Sequence, residues 1–125
     1  MTLRDNLYSI NDKVTEGTAV RYDIRLDAAH VIYQAHFPGE PITPGVCIIQ
    51  IAKELLEDHL HLSLDIQTVK NVKFLSVISP VATPQVTYVL DKITEDPETQ
   101  TCKVQVAVSA ADTPLAKLSF TCHAK

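Results

Sequence analysis

The residues of this chain with chemistry to offer lie in and just after one stiff loop, His36-Phe37-Pro38-Gly39-Glu40-Pro41-Ile42-Thr43-Pro44-Gly45-Val46. A histidine stands at its start, and three prolines and two glycines fix its backbone. Thr43 suits a helix N-cap, where its hydroxyl accepts from an orphan backbone N–H. Pro44 then falls at the first helical position, where its missing N–H costs nothing. Gly45 leaves the backbone bare at the helix start. Free N–H groups there, with the helix dipole behind them, attract a negative oxygen, which is the makings of an oxyanion hole. The plainer reading of Gly45 is that it lets a strand or loop pass close. Gln50 is the one polar side chain in the seven residues from Val46 to Ala52. An amide that deep needs a polar partner or a water, so Gln50 is expected to line a site.

The element that carries these groups is predicted to run from about Pro44 to His59. It is apolar on nearly every side for two turns, and a helix without a polar face is swallowed by its fold. Around it the sequence predicts strands. Residues 20–27 alternate apolar and charged without a fault, which is a strand with one face in water. Residues 66–78 are apolar but change phase near Phe74 and Leu75, where a bulge or bend is expected. Val86, Tyr88 and Leu90 alternate next, and Asp96-Pro97-Glu98-Thr99 reads as a turn. Cys102, Val104, Val106 and Val108 line one face of a strand; Leu118, Phe120 and Cys122 line another, with His123 pointing outward. Short turns between these strands imply an antiparallel meander. Residues 1–10 are expected to form a short helical turn. The fold class is therefore α+β, with one long apolar helix against a highly twisted antiparallel sheet. The early turns of that helix need more cover than one small sheet provides, and a symmetric dimer would supply it.

Composition sets the outer bounds. The 125 residues are 46% hydrophobic and 21% charged, as in a folded globular domain, and are expected to form one domain, 1–125. No apolar run approaches the ~20 residues that span a bilayer, and the N-terminus lacks the layout of a signal peptide. A net charge of -4 argues against nucleic acid as the partner. Cys47, Cys102 and Cys122 are an odd number without a CxxC, so they read as reduced thiols in a cytoplasmic protein. Cys47 is expected to be a core hydrophobe. His59 and His61 point to different sides of a helix, a poor metal pair, and His59 is expected to meet the C-terminal dipole. No metal and no cofactor is expected.

The pattern His36-Phe37-Pro38-Gly39-x-Pro41-x-x-Pro44-Gly45-Val46 closely resembles the signature of the bacterial 3-hydroxyacyl-[acyl carrier protein] dehydratases. That family has the hotdog fold, a highly curved antiparallel sheet wrapped around one central helix, and residues 18–122 follow its order of elements. The resemblance implies dehydration of 3-hydroxyacyl thioesters, carried on acyl carrier protein or coenzyme A, by a homodimer or a larger assembly of dimers. It implies that His36 is the general base, a role suited to a group titrating near neutral pH. It also implies that Gly45 and Val46 hold the thioester oxygen, with Phe37 and Pro38 beside the substrate. An acidic carrier would find Arg21, Arg25, Lys70 and Lys73 as candidate contacts.

Departures from that pattern carry as much information. The position of the family's catalytic Glu is Gln50 here, and an amide cannot donate a proton as an acid does. The family often has Gln one turn later, where this chain has Glu54. The two side-chain types look exchanged on one helix face. Glu54 is thus a candidate catalytic group, or else a solvated charge on the helix face. Ala35 replaces the glycine usual before the histidine, and Ile78-Ser79-Pro80-Val81 replaces a Pro-Gly-Asp segment. Two further readings stand beside the dehydratase: a catalytically impaired hotdog subunit that binds acyl chains or pairs with an active paralogue, and a hotdog thioesterase.

Overall fold

The computed structural model describes residues 2–35 and 39–125. The chain opens on a single turn in which the Leu7 N–H donates to the Leu3 carbonyl at 2.8 Å. Strands β1 (Tyr8–Glu16) and β2 (Ala19–Leu26) follow, joined across Gly17, whose φ of +62° is one that glycine adopts cheaply. A short helix α1 (Val31–Ala35) precedes the stiff loop, and the long helix α2 spans Gly45–Leu60. Strands β3 (Leu64–Phe74), β4 (Gln85–Asp96), β5 (Thr101–Ala110) and β6 (Thr113–Ala124) complete the chain.

The six strands form one sheet in the order β1-β2-β4-β5-β6-β3, with every neighbouring pair antiparallel. The expected meander holds for β4, β5 and β6. It fails for β3, which crosses to the far edge and pairs with β6. β1 was absent from the sequence expectation: at the other edge of the sheet, only Tyr8 of its nine residues is buried, so it shows no clean alternation. The expected bend near Phe74 is instead the end of β3, whose irregularities lie at Ile66/Thr68 and Val69/Asn71.

Helix α2 lies on one face of this sheet. Its Cys47, Ile48, Ile51, Ala52, Leu55 and Leu56 are buried with Val20, Tyr22 and Ile24 of β2 and Val86, Tyr88 and Leu90 of β4. Val104, Val106, Val108, Leu118, Phe120 and Cys122 close the same core, as their alternation predicts. Tyr88, buried in that core, donates its hydroxyl to the Ile48 carbonyl at 3.0 Å and so ties β4 to the helix. The start of α2 is less covered than its composition suggests: Val46 is 75% exposed. Among the described residues no helix is long and apolar enough to cross a membrane.

Candidate active site

Helix α2 starts one residue later than the capping chemistry predicts. Pro44 is the N-cap, extended at φ -62° and ψ 146°, without a side-chain cap. Thr43 is buried and does other work: its hydroxyl pairs with the Tyr33 hydroxyl at 3.0 Å, and its N–H donates to the Ile78 carbonyl at 2.8 Å. A buried hydroxyl is held by whichever partner shares its burial, and here that partner is α1 rather than the first turn of α2. Gly45 and Val46 therefore supply the first two amides of the helix, which by helix geometry have no carbonyl one turn behind them.

Gly45 has a steric reason to be glycine. A Cβ there would stand 2.8 Å from Cζ and 3.0 Å from Cε2 of the Phe74 ring, at the end of β3. The plainer reading of this glycine thus has a named neighbour. The same close approach puts the bare first turn, the Phe74 ring and exposed Val46 in one neighbourhood.

Gln50 and Glu54 meet. The Gln50 Nε2 donates to Glu54 Oε2 at 2.8 Å, as i,i+4 neighbours on one helix face can. Glu54 is not a solvated charge: it is 7% exposed. Oε2 also accepts from the Leu3 N–H at 2.8 Å; Oε1 accepts from the Arg4 N–H at 2.8 Å and the Tyr8 hydroxyl at 3.0 Å. Burial, and after it the Glu54 carboxylate, push the Tyr8 phenol up, which keeps it a donor. One turn further, Asp58 accepts from the Tyr22 hydroxyl at 2.6 Å and from Arg4 Nη1 at 2.7 Å. Burial alone would raise the Asp58 pKa, but these two hydrogen bonds and the Arg4 charge outweigh it and hold the carboxyl below its ordinary value. Gln50, Glu54 and Asp58, with Arg4, Lys53 and Glu57, line an open polar groove of about 420 Å³.

Gln50, Glu54 and Asp58 repeat every four residues along one side of the helix, a spacing that could have drawn Asp58 in with the other two. Nothing local announced Leu3, Arg4 and Tyr8 as its partners, since they lie 46 to 54 residues away. His36, Phe37 and Pro38 lie outside the described residues. Cys47 is buried and its thiol is pushed up by that burial. The other two thiols are also free and buried, with Cys102 pushed up to about 11 and Cys122 to about 12, burial being the main cause in each. Among the described residues no group of three or more His, Cys, Asp and Glu side chains could hold a metal ion. Arg21 is engaged by Glu16 at 2.7 Å and Asp23 at 3.5 Å, whereas Lys70 and Lys73 are exposed on β3.

Comparison with known families decides what this framework is. The family model of the ApeI-like proteins, described as ApeI dehydratase, matches residues 12–120. The chain belongs to the ApeI-like dehydratase family. Solved structures agree on the fold. A chain of the dehydratase heterocomplex ApeI:P from Xenorhabdus doucetiae superposes with a TM-score of 0.65 at 17% identity, over 91% of this chain and 96% of that one. A hypothetical thioesterase from Streptococcus pneumoniae, with coenzyme A, gives 0.63 at 12% identity, over 94% and 85%. Cj0977, a sigma28-regulated virulence protein from Campylobacter jejuni, gives 0.70 at 7% identity, over 100% and 88%. No curated protein sequence matches the chain. The architecture of antiparallel sheet and central helix is the hotdog fold that the loop motif implied.

Proposed function

We propose that this chain dehydrates 3-hydroxyacyl thioesters to trans-2-enoyl thioesters, on acyl carrier protein or coenzyme A, in fatty-acid or related lipid and polyene biosynthesis. The observation that carries the reading is the family match over residues 12–120, which spans both the His36 loop and helix α2. In this reading the His36 imidazole removes a proton from C2, and the resulting enolate oxygen is held by the Gly45 and Val46 N–H groups. The C2–C3 double bond forms as the C3–O bond breaks. The leaving hydroxyl takes the proton back from His36 and departs as water, so the histidine ends as it began. Gln50 orients the 3-hydroxyl without protonating it. Glu54 is left out of the proton path because each of its oxygens already accepts from two donors. Phe37 and Pro38 flank the acyl chain.

The working unit in this proposal is a cytoplasmic homodimer, or an assembly of such dimers. Its support is the uncovered apolar surface along the edge strand β3 and the start of α2: Val46, Val69, Val72, Phe74, Leu75 and Val77 are all exposed. Lys70, Lys73 and Arg25 are the proposed contacts for an acidic carrier.

The test is to offer purified protein 3-hydroxyacyl thioesters of several chain lengths and follow enoyl absorbance. His36→Ala is expected to lower turnover by about 10²–10⁴-fold. Release of free thiol in place of enoyl product would make the chain a thioesterase. Gln50 favours one second reading, a subunit that needs an active partner. The similar structure from Xenorhabdus doucetiae is a chain of a heterocomplex, which suits that reading. Acyl-carrier binding without turnover by the purified protein would favour it.

A further inference from the structure

Among the described residues Glu54 alone is both charged and buried. A carboxylate has about four lone-pair directions, and four donors occupy them, two on each oxygen. One of those donors is the Gln50 Nε2 at 2.8 Å. An amide is nearly the same shape either way round, and its hydrogen bonds decide which end is which. Turning the Gln50 amide over would set its carbonyl oxygen against a carboxylate oxygen, two acceptors with no proton between them. The other three donors keep Glu54 from turning away: two are backbone N–H groups of the N-terminal segment and the third is the Tyr8 hydroxyl at the start of β1. Glu54 is thus held from one side and holds Gln50 on the other.

We propose that Glu54 is a positioning residue, which fixes the Gln50 amide in one orientation and so sets which of its atoms meets the 3-hydroxyl of the substrate. The docking of residues 3–8 on Glu54 is part of the same device. With the nitrogen turned toward Glu54, the carbonyl end of Gln50 is turned off that carboxylate, which suits an acceptor for a hydroxyl proton. The kinetic consequence rests on the reading above that Gln50 meets the substrate; the orientation of the amide does not.

The experiment compares wild type, Glu54→Gln, Gln50→Ala and the double variant. Glu54→Gln replaces one acceptor oxygen by a donor nitrogen, and kcat is expected to fall roughly 10- to 100-fold, with KM changed less than about twofold. In the Gln50→Ala background the same substitution is expected to have no further effect on kcat. Multiplying effects of Glu54→Gln and Gln50→Ala, or an unchanged kcat in Glu54→Gln, would overturn the proposal. A readout independent of activity is the Gln50 side-chain amide in 13C,15N-labelled protein. In wild type one Nε2 proton should be protected from exchange and show scalar coupling across its hydrogen bond to the Glu54 Cδ. Absence of both signatures in folded wild type sinks the positioning role, even if Glu54→Gln does not fold. A wild type that turns over no thioester but shows both signatures sinks the dehydratase reading and keeps the oriented amide.

Discussion

Asp58 ends the polar stripe of α2, and two side chains from elsewhere in the chain converge on it. Tyr22 and Arg4 are both tied down by this one carboxylate. Its pKa in the folded chain lies below that of the unfolded chain, about 3.9. A depressed carboxyl contributes stability that is present above the unfolded value and is lost as pH falls through the folded one. Urea midpoints of wild type are therefore expected to drop below about pH 4, while Asp58→Asn, less stable at neutral pH, should show a shallower drop over the same window. Parallel acid profiles for the two proteins would remove Asp58 from the account. At this scale the sequence was half legible. The four-residue spacing put Gln50 and Glu54 on one face and made them candidates together. That Glu54 is buried was not legible, because three of its four donors come from the first eight residues and no local pattern links positions so far apart.

Elements were easier to read where one face is wet and the other dry. β2 and β5 alternate because each has the helix on one side and solvent on the other; β6 buries the expected Leu118, Phe120 and Cys122 but also Leu115, Ala116 and Thr121, which break its alternation. β1 and β3 are edge strands, exposed for most of their length, so the alternation that marks a strand is weak there. The capping residue was misassigned because Thr43 had a better partner in Tyr33. The tie between sheet and helix makes a prediction at this scale. The Tyr88 hydroxyl is buried and donates to the Ile48 carbonyl, within α2. That carbonyl keeps its place in the helix ladder when the hydroxyl is removed, so no acceptor is stranded. Tyr88→Phe is expected to cost about 0.5–1.5 kcal/mol in urea unfolding, with an unchanged m-value. A loss of several kcal/mol would mean that the hydroxyl holds more than the one bond.

At the scale of the whole molecule, the order of strands was the part no local pattern could supply: a crossover that carries β3 to the far edge is fixed by packing, not by any residue along it. Its effect is to leave β3 as an unpaired edge beside the bare first turn of α2. An edge strand can pair with a second copy of itself through a two-fold axis, since each copy offers the other the same groups. If the chain works as a dimer joined along this edge, Val46 is the place to test it. It is 75% exposed and lies in the first turn of the helix, where a carboxylate is favoured by the helix dipole. Val46→Glu should therefore leave the fold of each chain intact, with unchanged helix content and a Tm no lower than wild type in dilute solution. The same charge placed twice across an apolar interface is repelled and desolvated at once. Wild type is expected to sediment at twice its 13.8 kDa, and Val46→Glu at the monomer mass at micromolar concentration. A wild-type monomer would remove the dimer, and a Val46→Glu dimer as tight as the parent would place its interface elsewhere on the surface.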